Sequence, residues 1–297
     1  MSGSARRGVV LITVLWTVAL LATLAMATSL TFRGFAGIMA IDRDRLKADG
    51  LLTAGLEVAA GLVSRAGDSP LLEVESAVML SSGTVRIRLD DEGGRIDIGK
   101  APAELLAALL RSIGAPDADA FARRIVEWRK LDADAGKGAA PAPAANAANA
   151  AKAADAAKSP APDSVFTDVA QLGQVPGMRP EWVAALVPLV TVFGNETVNP
   201  LTAPAQVLAL LPGVDQARLA AFLEARALAA DPKQLVAGLG AAQVHLDAKP
   251  PHAVSVHLVA VLADGYAAAA EAVIVCLPKD RQPYRVLAWN LVAPSRP

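Results

Sequence analysis

Histidines, a single cysteine and two acidic clusters are the residues of this 297-residue chain that could take part in catalysis or metal binding. None of the three histidines, His245, His252 and His257, has a second ligand three or four residues further along a predicted helix, and no His-Glu-x-x-His sequence occurs. Cys276 is the only cysteine, so an internal disulfide and a thiolate cluster are both excluded. The sequence contains no Gly-x-Ser-x-Gly, Walker A or Gly-x-Gly-x-x-Gly pattern. It therefore indicates a non-catalytic protein.

The two acidic clusters are candidate calcium sites, because calcium prefers several oxygen ligands. Asp132 and Asp134 begin a loop that resembles an EF-hand, but Pro143 stands where the ligating glutamate would be. The EF-hand interpretation is therefore rejected. The second cluster, Asp90-Asp91-Glu92, is predicted to be a solvated turn between two strands.

Net charge argues against nucleic acid as a partner. The chain has a formal charge of −1 and a pI of about 6.3. Proteins that bind phosphate backbones usually carry a basic face. We therefore expect that the protein does not bind nucleic acid.

The longest apolar stretch lies near the N-terminus. Val9–Phe32 contains 24 residues without Asp, Glu, Lys, Arg or His. A helix of this length extends about 36 Å, and about 20 apolar residues are enough to span a bilayer. We predict a transmembrane helix, although basic residues on both sides leave its orientation open.

Three interpretations of this stretch are compatible with its residues. It could be an uncleaved anchor, or a secretory signal cleaved after Ala25-Met26-Ala27. The third interpretation starts from Arg7-Gly8-Val9, where the glycine lies at the boundary between charged and apolar residues. Cleavage after Gly8 would leave Val9 as the new N-terminus.

Hydrophobic periodicity predicts strands on both sides of a helical block. A helix is expected to continue from Arg33 to about Ala66. Strands are expected around Val85–Leu89, Val254–Leu258, Val273–Leu277 and Tyr284–Leu291, with a further short strand at Arg95–Ile98.

The helical block contains an internal repeat. Val198–Val214 matches Ile96–Gly114 at an offset of 102 residues, and each copy contains Ala-Pro-Ala at the predicted start of a helix. A further helix is predicted at Asp117–Leu131. Two Pro-Gly turns, Val175–Met178 and Leu211–Val214, resemble those of helix-hairpin-helix units.

We therefore predict an α+β fold: a long N-terminal transmembrane helix, a pilin-like antiparallel sheet, and an inserted all-α domain with helix-hairpin-helix-like repeats. The predicted segments are a leader at 1–8, the span at 9–32, a helix with the first strands at 33–98, the α-domain at 99–249 with a disordered loop at 134–164, and C-terminal strands at 250–297.

Together these features resemble one class of secretion protein. The Gly8 leader is similar to that of type IV pilins and type II secretion pseudopilins. The sequences Asp91–Leu106, Thr191–Gly194, Val198–Gly213 and Pro283–Leu291 resemble the K class of minor pseudopilin, general secretion pathway protein K. Most pseudopilins carry glutamate where this chain has Thr13, and its absence is a mark of the K class.

The resemblance implies a function and a location. It implies a subunit at the tip of the type II secretion pseudopilus, cleaved by prepilin peptidase between Gly8 and Val9 and assembled through its N-terminal helix, including Thr13. Implied partners are other minor pseudopilins, the secretion machinery and membrane lipid. The implied location is the bacterial inner membrane, single pass, with a cytoplasmic N-terminus and a periplasmic C-terminal domain.

Two further expectations remain open at this stage. The resemblance implies that calcium could bind in the α-domain, with ligands that the sequence does not identify. The alternative function is a membrane-anchored helix-hairpin-helix DNA receptor of an uptake system. Against that alternative, Asp215 and Glu181 place carboxylates beside the Pro-Gly turns, where phosphate binding requires cations.

Overall fold

A computed structural model of the chain describes residues 3–67, 69–71, 74–135, 166–228, 231–249, 253–277 and 283–294. Within these ranges, the side chains of residues 3–13, 27–38 and 130–135 are not described. Most of the predicted disordered loop at 134–164 therefore lies outside the described residues.

A long helix and an antiparallel sheet form the first part of the molecule. Helix α1 spans Gly3–Ala66, and its end coincides with the predicted one. The strands are β1 (Val74–Leu80), β2 (Gly83–Asp91), β3 (Ile96–Asp97), β4 (Val190–Thr191), β5 (Val254–Leu262), β6 (Ala267–Cys276) and β7 (Tyr284–Val292). Five of them form one antiparallel sheet in the order β1-β2-β5-β6-β7.

The C-terminal half of α1 packs on one face of this sheet. Leu52, Leu56 and Ala59 recur on one side of the helix and share a buried cluster with Val85 and Ile87 of β2. The two layers approach closely, since a Cβ atom on Gly55 would lie 2.8 Å from a methyl group of Val85. The alternation predicted for β2 is confirmed, with its apolar side chains buried under α1.

The chain between β2 and β5 forms a helical region with its own core. Its helices are α2 (Ala103–Ser112), α3 (Ala118–Ala135), α4 (Pro180–Leu186), α5 (Ala205–Ala209), α6 (Gln216–Ala227) and α7 (Pro232–Gly238), with 3-10 helices at Glu92–Gly94, Val169–Gln174 and Gly240–His245. The core includes Leu105, Leu106, Ile125, Phe166 and Leu208. The predicted mixed fold, with helices between the strands of an antiparallel sheet, is therefore confirmed.

The short strand predicted at Arg95–Ile98 exists, but it does not join the main sheet. Strand β3 pairs in parallel with β4 and forms a separate two-stranded sheet. The amides of Ile96 and Ile98 donate to the carbonyls of Leu189 and Thr191. The 3-10 turn at Glu92–Gly94 redirects the chain into the helical region before β3 begins.

Two predicted helix bounds need correction. Pro102 is the N-cap of α2 and not its first helical residue, because its ψ of 154° is extended. Helix α3 continues to Ala135 and includes Asp134, the first residue of the predicted loop. No helix among the described residues combines the length and the apolar character needed to cross a membrane. The predicted span's ends, residues 9–13 and 27–32, have no described side chains.

Candidate functional site

The residues predicted for processing and assembly all lie on α1. Gly8, Val9 and Thr13 fall within its helical backbone, in the portion whose side chains are not described. Their roles, and the choice among the three interpretations of the leader, therefore stay predictions. Leu15, Trp16 and Leu20 follow on the same helix and are 70%, 72% and 68% exposed.

The best-defined polar site is a buried junction between the sheet and the helical region, built by the segment Asp91–Gly99. Asp91, the last residue of β2, is only 6% exposed. Its carboxylate accepts hydrogen bonds from the Gly93 amide (2.8 Å), the Thr202 hydroxyl (2.6 Å) and the Asn199 side-chain amide (3.1 Å). Burial raises the pKa of Asp91, and these hydrogen bonds oppose the rise.

Glu92 connects three elements at the same junction and is 3% exposed. Its carboxylate accepts hydrogen bonds from the hydroxyls of Ser255 on β5 and Thr191 on β4. Arg95 completes the arrangement, with its guanidinium 3.1 Å from the Glu92 carboxylate. A buried carboxylate needs this number of partners to offset its desolvation.

Gly94 allows the two regions to approach closely. A Cβ atom at this position would lie 2.8 Å from the Thr202 carbonyl and 2.9 Å from the Ala203 amide nitrogen. Both neighbours are backbone atoms, so a side chain could be accommodated only if the segments separated.

Asp97 organises the turn that leads into α2. Its carboxylate accepts hydrogen bonds from the amides of Gly99 (2.6 Å) and Lys100 (3.1 Å). Arg129 of α3 then holds the turn by donating to the carbonyls of Ile98 (2.7 Å) and Ala101 (2.9 Å). Burial raises the pKa of Asp97 and lowers that of Arg129 to about 10.

The second copy of the repeat reproduces this turn. Asn199, which aligns with Asp97, accepts a hydrogen bond from the Leu201 amide (3.1 Å). Arg226 of α6 donates to the carbonyls of Pro200 (3.1 Å) and Ala203 (2.7 Å), which align with those of Ile98 and Ala101. The repeat seen in the sequence is therefore also a repeat of hydrogen-bonded structure.

The prediction of a solvated turn at Asp90-Asp91-Glu92 is wrong for two of its three residues. Asp91 and Glu92 are buried, and only Asp90 is partly exposed. Composition alone suggested a surface turn, because the partners that satisfy these carboxylates lie about 100 and 163 residues away in the chain. The pair of glycines after Glu92 was the local signal of close packing.

The described histidines contact carboxylates but do not form a metal site. His257, on the face of β5 away from α1, lies 3.1 Å from Asp90 and 3.3 Å from Glu271. His245 lies 3.7 Å from Glu104. His252 lies outside the described residues.

The expectation of calcium is not met by any donor set that the structure describes. Among the described residues no three His, Cys, Asp or Glu side chains are close enough to bind a metal ion. The side chains of Asp132 and Asp134 are not described. Calcium binding therefore stays a prediction without assigned ligands.

The two Pro-Gly turns have the backbone conformation that requires glycine, with φ values of +83° at Gly177 and +78° at Gly213. At the second turn both charged side chains bind backbone groups. Asp215 caps α6 by accepting a hydrogen bond from the Arg218 amide, and the Arg218 guanidinium donates to the Gly213 carbonyl. The exposed carboxylate of Asp215 therefore lies beside this turn, where it opposes the approach of a phosphate. The helix-hairpin-helix resemblance itself stays a prediction.

The segment that contains the junction residues matches a known protein family. Residues 88–195 match the family model of the type II secretion system (T2SS), protein K. Over these residues the chain is similar to the protein K family. The resemblance inferred from its sequence is confirmed, and the matched segment contains Asp91, Glu92, Asp97 and Arg129.

A solved structure gives the same result for the fold. The crystal structure of the GspK-GspI-GspJ complex from the enterotoxigenic Escherichia coli type 2 secretion system contains a chain with a similar fold. The TM-score is 0.54 at 13% identity, and the match covers 86% of this chain and 98% of the other. The comparison with curated protein sequences gave no match.

Proposed function

We propose that this protein is a non-catalytic minor pseudopilin of the protein K class at the tip of the type II secretion pseudopilus, where it supports protein export across the outer membrane. Its α1 anchors it in the inner membrane with the N-terminus cytoplasmic and the other elements periplasmic. Its partners are other minor pseudopilins, prepilin peptidase, the secretion machinery and membrane lipid.

Helix α1 is the observation that carries the proposal. Its C-terminal half is buried on the sheet, whereas Leu15, Trp16 and Leu20 in its N-terminal half expose their apolar surface. Exposed apolar surface of this kind marks a site of contact with membrane or protein. The sequence extends this surface to the 24 uncharged residues of Val9–Phe32, which a bilayer can accommodate as a helix.

Two features support a position at the tip. Thr13 stands where a glutamate would face the N-terminal ammonium of a preceding subunit, and a subunit with no neighbour ahead has no use for that charge. The helical region between β2 and β5 adds bulk that would hinder another subunit from stacking ahead. The buried junction at Asp91–Gly99 holds this bulk on the sheet.

N-terminal sequencing of the mature protein tests the anchor and the leader. We expect the mature chain to begin at Val9 when prepilin peptidase is coexpressed, and at Met1 when it is absent. A start at Thr28 would indicate a secretory signal, and an intact N-terminus in both strains would indicate a plain anchor. Either result contradicts the proposal.

A complementation assay tests the role in secretion. Deletion of the gene should abolish export of type II cargo, and the full-length chain should restore it. If the deletion strain exported its cargo normally, the proposed function would be contradicted.

A further inference from the structure

The first Pro-Gly turn differs from the second because two arginines lie beside it on aromatic rings. The guanidinium carbon of Arg124, on α3, is 3.8 Å from the ring centroid of Phe121. That of Arg179, just before α4, is 4.5 Å from the ring centroid of Trp182. The two rings are in edge-to-face contact at 5.3 Å. We name this group of four residues the arginine–aromatic surface.

The turn itself is shaped to fit these side chains. Arg124 donates to the carbonyl of Pro176 at 3.0 Å. A Cβ atom on Gly177 would lie 3.1 Å from the Arg124 guanidinium and 3.3 Å from the Phe121 ring. The glycine therefore serves both the positive φ of the turn and the close approach of the arginine.

Both guanidinium groups retain unused hydrogen-bond donors. Within the described part of the chain, no carboxylate forms an ion pair with Arg124 or Arg179. Arg129 and Arg226 at the two repeated turns each donate to two backbone carbonyls, whereas Arg124 donates to one. A guanidinium held on an aromatic ring loses little further freedom on binding and presents its donors as a planar fork.

We propose that the arginine–aromatic surface docks an acidic segment of a partner protein, with Arg124 and Arg179 each binding a carboxylate. Paired N–H donors match the two oxygens of a carboxylate. Arginine is also enriched among the residues that contribute most to binding at protein interfaces. The rings of Phe121 and Trp182 are buried and support the two guanidinium groups from below. The inference does not depend on the position of the chain at the pseudopilus tip.

The surroundings favour separate carboxylates over a nucleic acid. Glu127 and Glu181 are exposed near the two arginines along the chain, so the basic area is small. A duplex presents closely spaced phosphates and requires an extended basic face. A short acidic segment needs only the two arginines.

Fluorescence anisotropy on the full-length chain in a neutral detergent tests the proposal. The probe is a fluorescein-labelled octapeptide of alternating Glu and Ala, and its Gln counterpart and a labelled DNA duplex are compared with it. We expect the Glu peptide to bind and the Gln peptide not to bind. Arg124→Gln and Arg179→Gln should each weaken binding by about three- to tenfold, the range for losing a charge-assisted hydrogen bond.

Arg86→Gln is the matched control, because Arg86 is an exposed arginine on β2, in the sheet. It should change the affinity less than twofold. Melting temperatures identify any unfolded variant, and Arg179→Gln remains informative if the loss of the Arg124 hydrogen bond to Pro176 disturbs folding. The lysine variants at both positions should also weaken binding, because lysine lacks the fork.

Three results would overturn the proposal. These are absence of binding to the Glu peptide, an equal loss of affinity in Arg86→Gln, and duplex binding that Arg124→Gln and Arg179→Gln weaken. The first two would exclude a specific carboxylate site, and the third would make phosphate the ligand. None of them would alter the N-terminal sequencing or the export assay, so the proposed function is tested separately.

Discussion

Asp97 and Asn199 make the same turn in the two copies of the repeat, one with a carboxylate and the other with an amide. Because burial raises the pKa of Asp97 above its ordinary value of 3.8, the folded protein holds this proton at a pH where the unfolded chain has lost it. Stability linked to Asp97 is therefore fully present below about pH 4 and is lost as the pH rises through the raised pKa.

Asp97→Asn should consequently reduce the fall in the free energy of unfolding between pH 4 and pH 7, as measured by urea denaturation. The amide retains the oxygen that accepts from Gly99 but cannot ionise. Asp90→Asn is the control with the opposite sign. The adjacent His257 side chain lowers the pKa of Asp90, so the contribution of Asp90 to stability is present above its ordinary pKa of 3.8 and is lost as the pH falls. Equal pH profiles for wild type and Asp97→Asn would contradict the argument.

At the scale of elements, Arg129 and Arg226 each connect their own helix to a turn that lies before the preceding helix in the chain. Arg129 holds the turn before α2, and Arg226 holds the turn before α5. Arg129→Met should lower the free energy of unfolding by about 2–4 kcal/mol, because two carbonyls lose charge-assisted donors. Arg226→Met should cost a similar amount, and Arg86→Met should have little effect. The free energy of unfolding is measured by urea denaturation. If Arg129→Met left it unchanged, the hydrogen bonds of Arg129 to the turn would not contribute to stability.

The packing of α1 on the sheet gives a second prediction at this scale. Gly55→Ala should destabilise the protein, because its Cβ would lie 2.8 Å from Val85 and 3.1 Å from Leu258, both in the core. Gly61→Ala should stabilise it by up to about 1 kcal/mol, since the same helix has open space there and alanine favours helix. Thermal unfolding of the two variants compares them directly. If both variants changed the melting temperature in the same direction, α1 would not pack on the sheet as closely as described.

Periodicity predicted most elements because each buries one face. The α1 end at Ala66 and the alternation in β2 could be inferred from spacing alone. The pairing of β3 with β4 could not be inferred in this way, because Val190, the partner of Ile96, lies 94 residues further along the chain. The stability of a strand depends on the neighbours it pairs with, and its own residues do not identify them. The same holds for the carboxylates of Asp91 and Glu92, whose buried partners come from elements remote in the chain.

At the scale of the whole molecule, the junction determines whether the sheet and the helical region behave as one unit. Asp91 and Glu92 contact Asn199, Thr202, Thr191 and Ser255, so both hydrophobic cores are linked through buried polar groups. Gly94→Ala would push Thr202 away from this contact. Asp91, Glu92 and Gly94 lie inside the segment that matches the protein K family model.

The proposed position at the tip predicts the effect of a charge at Thr13. With no subunit ahead, a glutamate there would have no ammonium to pair with, and an ionised group within the bilayer costs about 2.5–3.5 kcal/mol or more. Thr13→Glu should therefore reduce copurification with the other minor pseudopilins from membranes by at least about tenfold. Thr13→Gln, which is similar in size and uncharged, should reduce it much less. If Thr13→Glu assembled as well as wild type, charge at this position would not govern placement, and the bulk of the helical region would be the remaining reason for a terminal position.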